Sequence, residues 1–288
     1  MSSSLLPWLR LARPHQWVKN LFIIMPAPFA VAAGADPNWL LFAVGLLGFC
    51  VLSSGVYCFN DILDAQRDRL HPRKRERPVA AGQVSRRGAW LLSLALLLGG
   101  GALIFSSGGR SALSLSFLYV GLNLVYSLGA RNLALVDVFL LSSGFLIRVL
   151  FGCLLLAVPP SNWLLLCSST LALLLSLSKR HADLYAGLQI EHRPSLAGYT
   201  MEFLNLAMGI TAAMALFSYA LYCKDAGVFR EGREFATLPF VAFGILNYLR
   251  LVKTQLSGRS PEEVIYGSPS LAFCGVGWVM ATYWSLNL

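Results

Sequence analysis

The sequence predicts an all-α polytopic membrane protein, a nine-transmembrane-helix bundle with a polar site at its cytoplasmic end. Three observations predict it. The 288 residues are 56% hydrophobic and only 13% charged, with a mean hydropathy of +0.62, outside the range of soluble domains. Apolar windows of about 17–25 residues, the length that crosses a hydrocarbon core, recur along the whole chain. Lysine and arginine fall mostly on alternate connections, as a polytopic topology requires.

The windows are read in order. The first, 17–33, follows a short segment, Met1 to Arg10, that has no A-x-A-like cleavage site, so no removable signal peptide is expected. The second, 39–59, runs into an acidic stretch. The third and fourth are 88–107 and 111–128. Tyr119, Asn123 and Tyr126 on the fourth share one helical face and form an inward polar stripe. The fifth, 133–157, holds Asp137 and Arg148, eleven residues or about three turns apart, hence on nearly the same side. Ionisable residues at that depth face an aqueous cavity or a partner. The remaining windows are 162–178, 203–223, 236–254 and 268–286. The six cysteines lie in or beside these spans without a CxxC pair and read as small packing residues. No linker divides the chain, so residues 1–288 are expected to form a single transmembrane domain.

With the N-terminus in the cytoplasm, 18 of the 23 lysines and arginines fall on the cytoplasmic side. That supports an odd number of spans, N-in and C-out. The net charge of +9 thus belongs to one membrane face. Topology and anionic lipid account for much of it, and no nucleic-acid partner is implied. Any claim on an anionic substrate rests on particular residues.

Two long connections, 60–87 and 179–202, both fall on the predicted cytoplasmic side. The first opens with Asn60, Asp61, Asp64 and Asp68. If the second helix continues past the membrane, the three aspartates share one face, at i, i+3 and i+7. Carboxylates so crowded repel unless a cation neutralises them. Hard oxygen donors select Mg²⁺, with Mn²⁺ possible, and Mg²⁺ characteristically takes one or two carboxylates plus phosphate oxygens. Asn60 adds a carbonyl ligand. A basic run follows (Arg67, Arg69, Arg73, Lys74, Arg75, Arg77, Arg86 and Arg87), in which Arg67 and Arg77 are singled out for a diphosphate. The competing reading is a solvated loop of mutual ion pairs beside lipid headgroups. The second connection brings Lys179, Arg180 and Asp183, then Glu191, His192 and Arg193. Lys179 and Arg180 suit phosphate and Asp183 a second metal or a sugar hydroxyl, although an ordinary loop with internal ion pairs has the same composition. There is no Walker-type loop, GxGxxG, HExxH or nucleophile elbow.

Nine spans with Asn60-Asp61-x-x-Asp64-x-x-x-Asp68 after the second resemble the UbiA-type superfamily of intramembrane prenyltransferases. Four segments look most like its decaprenyl-phosphate phosphoribosyltransferase branch. They are Arg13-Pro14-His15-Gln16-Trp17-Val18-Lys19-Asn20, Arg77-Pro78-Val79-Ala80-Ala81-Gly82, Ser142 to Arg148, and Lys179-Arg180-x-x-Asp183-Leu184. Two places depart from that branch: Asp183 stands where Glu is usual, and Pro261 to Ser268 lacks its charged continuation. The resemblance implies a UbiA-like domain that transfers 5-phosphoribose from phosphoribosyl diphosphate to a polyprenyl phosphate in a bacterial-type inner membrane. Asp61, Asp64 and Asp68 with Asn60 would hold metal and diphosphate. Lys19, Arg67, Arg77, Tyr126, Arg148, Lys179 and Arg180 would bind substrate, with Asp183 as a further catalytic carboxylate. Prenylation of an aromatic precursor, which makes the same demand on diphosphate, stays open. So does a transporter of phosphorylated metabolites or lipids. Oligomeric state is not legible.

Overall fold

The computed structural model describes residues 5–70, 74–187, 193–254, 264 and 267–286. Ten α-helices are described: α1 (Leu6–Ala12), α2 (Leu21–Ile24), α3 (Ala27–Ala32), α4 (Trp39–Arg69), α5 (Arg86–Leu128), α6 (Val136–Leu155), α7 (Asn162–Tyr185), α8 (Met201–Asp225), α9 (Leu238–Thr254) and α10 (Pro269–Ser285). No β-strand is present among the described residues. Arg73, Glu191, His192 and most of the Pro261–Ser268 stretch lie outside them.

Polar caps set the starts of the long helices. Asn38, Ser85, Ser161 and Thr200 each accept from the backbone N–H three residues on, all at 3.1 Å, which satisfies donors that lipid cannot. Five helices, α4 to α8, are long and apolar enough to cross a membrane. The helices α9 and α10 have 17 residues each.

The nine expected windows meet two departures. Instead of one continuous helix, the first window contains a 3₁₀ segment at Pro14–Asn20 and the short helices α2 and α3. Pro26 and Pro28 fall where a continuous helix would need backbone donors, and each removes one. The third and fourth windows form the two arms of α5, which folds back at Gly109 (φ +62°, ψ −151°), a conformation that glycine alone adopts easily. A Cβ on Gly101 would sit 3.7 Å from Leu113, twelve residues along, so the arms run side by side.

Helix α4 is the spine. Glycines on both sides let it approach the first arm of α5 closely: a Cβ on Gly48 of α4 would stand 2.9 Å from Leu103, and one on Gly100 of α5 only 2.6 Å from the Leu52 nitrogen. Such small-residue seams drive helix association where lipid and leucine are equally apolar. Phe49, Tyr119, Ile147 and Phe151 fill the core between α4, the second α5 arm and α6. Arg148 is buried there. Its Nε donates to Asn20 at 2.8 Å, its Nη1 to the Gly144 carbonyl at 2.7 Å and its Nη2 to the Tyr119 hydroxyl at 3.1 Å. The Phe49, Tyr119 and Phe145 rings lie within 5.8 Å. Arg148 and Asp137 thus share a helix but not a partner, because Asp137 meets α7 and the chain before α8.

Candidate functional site

Both polar connections come to the same end of the bundle. Helix α4 runs to Arg69, so the sequence Asn60 to Asp68 is helical, as the i, i+3, i+7 spacing predicts. The segment 77–84 then folds back on it. Val79 and Val84 join Ile62, Ala65 and Leu11 in one apolar cluster, and the Ala80 carbonyl accepts from Arg69 Nε at 3.2 Å. This return brings Arg77 over the acidic face. The N-terminal segment docks from the other side, with Trp17 donating to Ser54 at 2.9 Å. It delivers Arg13, held in the left-handed region (φ +52°).

Each aspartate of the stripe is claimed by an arginine from a different segment. Arg13 donates to Asp61 Oδ1. Arg77 Nη1 lies 2.7 Å from Asp68 and 3.4 Å from Asp61. Arg131, in the turn after α5, clasps Asp64 with both terminal nitrogens at 2.6 and 2.8 Å. That clasp raises the Arg131 pKa above its ordinary value. Asn60 accepts from Ser127 at 2.7 Å.

Asn60, Asp61, Asp64 and Asp68, expected to hold a metal together with diphosphate, all lie on the last turns of α4. Among the described residues no three His, Cys, Asp or Glu side chains are grouped to hold a metal. The outer two, Asp61 and Asp68, are seven residues apart on α4, yet their carboxylates are close enough for Arg77 Nη1 to reach both. The donor chemistry still fits a divalent ion shared with phosphate, since Asp61 Oδ2 is buried and has no hydrogen-bond partner.

The second connection forms a matching cluster. Asp183, on the last turns of α7, lies 3.0 Å from Arg180 Nη1 and 3.3 Å from Arg193 Nη1. Arg193 also donates to the Tyr126 hydroxyl at 2.6 Å. Tyr126 and Ser127 are adjacent on α5, one bonded to each cluster, so a single turn of helix joins them. Lys74 also faces both clusters. Burial and the nearby Arg77 lower its pKa, while Asp68, Asp183 and Asp64 raise it.

Other expected residues stand differently. Arg180 is fully buried, so its guanidinium is not open to solvent phosphate. Arg67 is exposed on a flank of α4, and Lys19 and Lys179 are half-buried. Arg148 gives all three nitrogens to protein groups. Sequence reading did not single out Arg13, Lys74, Arg193, Ser195 or Tyr199. Lys74 stood among others in the basic run, Arg193 in the second connection, and Arg13 in a segment of the resemblance.

A family model described as the UbiA prenyltransferase family matches residues 20–264. The chain belongs to that family. It is therefore a transferase and an integral membrane protein. The decaprenyl-phosphate phosphoribosyltransferase of Mycolicibacterium smegmatis is 34% identical over 94% of this chain and 89% of its own length. The protein of that name from Corynebacterium glutamicum is 31% identical, over 96% and 86%. In fold, the UbiA chain resembles the solved UbiA homologue from Archaeoglobus fulgidus bound to GPP and Mg²⁺. The TM-score is 0.72, at 19% identity, covering 96% of this chain and 97% of that one.

Proposed function

We propose that this UbiA-family protein transfers 5-phosphoribose from phosphoribosyl diphosphate to a polyprenyl phosphate of the decaprenyl type, releasing diphosphate. The observation that carries the reading is the joined pair of clusters. Three arginines and a lysine surround the Asp61–Asp64–Asp68 face opposite Asp183, in a chain 31–34% identical to proteins of that activity over nearly their whole length.

The reaction breaks the bond between ribose C1 and the diphosphate oxygen and forms one from C1 to an acceptor phosphate oxygen. The acceptor is already an anion near neutral pH, so no dedicated base is needed. The barrier lies in placing charge where the leaving group develops it. Asp61, Asp64 and Asp68, with Asn60, would hold Mg²⁺, which supplies charge neutralisation to the diphosphate; Mn²⁺ has the same donor preference. Arg77, Arg131 and Arg13 then exchange their carboxylates for phosphate oxygens, a step that keeps every charge paired. Lys74 and Lys179 bind further phosphate, and Asp183 a ribose hydroxyl. Tyr126 fixes the Arg193 side of the site. Lys19 would bind the acceptor phosphate.

The reading places nine membrane crossings in one domain, the N-terminus and the site in the cytoplasm, and the protein in a bacterial-type inner membrane. Purified protein given phosphoribosyl diphosphate and decaprenyl phosphate with Mg²⁺ should release diphosphate and form the lipid-linked product, and chelator should stop it. Turnover only with a prenyl diphosphate and an aromatic acceptor would replace this reading with prenyl transfer.

A further inference from the structure

Across Arg180 from Asp183 stands a second carboxylate. Asp137, in the first turn of α6, is fully buried. Its Oδ1 accepts from the Tyr199 hydroxyl at 2.6 Å and its Oδ2 from Ser195 at 2.9 Å. Both donors belong to the short chain segment before α8. That segment is pinned to the start of α6: the Leu135 N–H donates to Tyr199 at 2.7 Å, and a Cβ on Gly198 would lie 2.4 Å from the Ala134 Cβ. Arg180 Nε lies 3.6 Å from Asp137, and Arg180 Nη1 lies 3.0 Å from Asp183.

Arg180 is fully buried, yet none of its nitrogens makes a well-aligned hydrogen bond. Two carboxylates therefore hold it by charge, one on each side. An aligned, bidentate clasp would have fixed it to one of them. Asp183 is the more open of the pair, with its side chain 24% exposed.

We propose that Asp137, braced by Ser195 and Tyr199, is a positioning residue that shares the Arg180 charge and so keeps Asp183 available to the donor. Without the Asp137 charge, Arg180 closes on Asp183 and withdraws its carboxylate from the site. The inference rests on Asp183 belonging to the donor site, as proposed above.

The test is calorimetric binding of phosphoribosyl diphosphate with Mg²⁺ to the purified full chain in nanodiscs, without acceptor lipid, with melting temperatures recorded alongside. With no acceptor present the donor is bound and not consumed, so the readout is independent of turnover. Asp137→Asn should weaken binding about tenfold, and Asp183→Asn at least as much. The double variant should bind no more weakly than Asp183→Asn alone, because both changes act through one carboxylate. Unchanged binding in Asp137→Asn, or losses that multiply in the double variant, would overturn the inference. Tyr199→Phe keeps the Asp137 charge and removes one brace. It should weaken binding two- to threefold, and it decides the matter in the same sense if Asp137→Asn does not fold. Wild-type protein that fails to bind phosphoribosyl diphosphate with Mg²⁺ would instead sink the donor-site reading itself.

Discussion

Arg131 clasps Asp64 through both guanidinium nitrogens, at 2.6 and 2.8 Å, across 67 residues of sequence. The pair ties the end of α4 to the turn between α5 and α6. It also fixes the middle carboxylate of the acidic face, and it sets the terms on which that carboxylate meets a metal.

A lysine keeps the charge at this position but not the planar fork. Arg131→Lys should therefore lower kcat/KM for diphosphate release by about 10- to 100-fold, or about 1.4–2.7 kcal/mol. The melting temperature should change little, since both partners remain partly exposed. Wild-type kinetics in this variant would place Arg131 outside the site.

Lys74 gives the site a pH dependence. Burial and Arg77 lower its pKa, so the folded protein releases this proton at a lower pH than the unfolded chain does. Stability from this group thus rises with pH from its folded pKa up to the ordinary lysine value of 10.5. Over the same window the site loses a positive charge. Lys74→Arg, which does not deprotonate there, should move the alkaline limb of the pH–rate profile upward. An unmoved limb would remove Lys74 from phosphate binding.

The packing of the broken first segment is testable by a single methyl group. A Cβ on Gly152 of α6 would stand 2.1 Å from the Ile23 carbonyl oxygen, a backbone atom that cannot rotate away. Gly152→Ala should cost about 1–3 kcal/mol through overpacking and lower the melting temperature in detergent by several degrees. Because Asn20, three residues before Ile23, bonds to Arg148, activity should fall as well. A melting temperature equal to the wild type would mean that α2 does not seat on α6 as described.

Much of this architecture was legible because it is local. The helical continuation that puts Asp61, Asp64 and Asp68 on one face follows from spacing alone, and α4 runs to Arg69 as that spacing requires. Apolar length located α4 and α6 through α8. What escaped were long-range pairings. Nothing near Asp64 in sequence names Arg131, and nothing near Asp61 names Arg13. Asp137 and Arg148 looked like partners on helical phase, yet neighbouring segments supply Ser195 and Tyr199 to one and Asn20 and Tyr119 to the other. The groups that meet the α4 carboxylates come from other segments, and spacing along one helix does not name them.

The central claim is that the α4 carboxylates, with a divalent ion, draw diphosphate from a ribosyl donor. The direct measurement is diphosphate release by purified wild-type and Asp64→Asn protein, given phosphoribosyl diphosphate, decaprenyl phosphate and Mg²⁺. The account predicts chelator-sensitive release by the wild type and a loss of at least about 100-fold in the variant, with its melting temperature retained. Equal release by the two proteins, or release that ignores chelator, would contradict it.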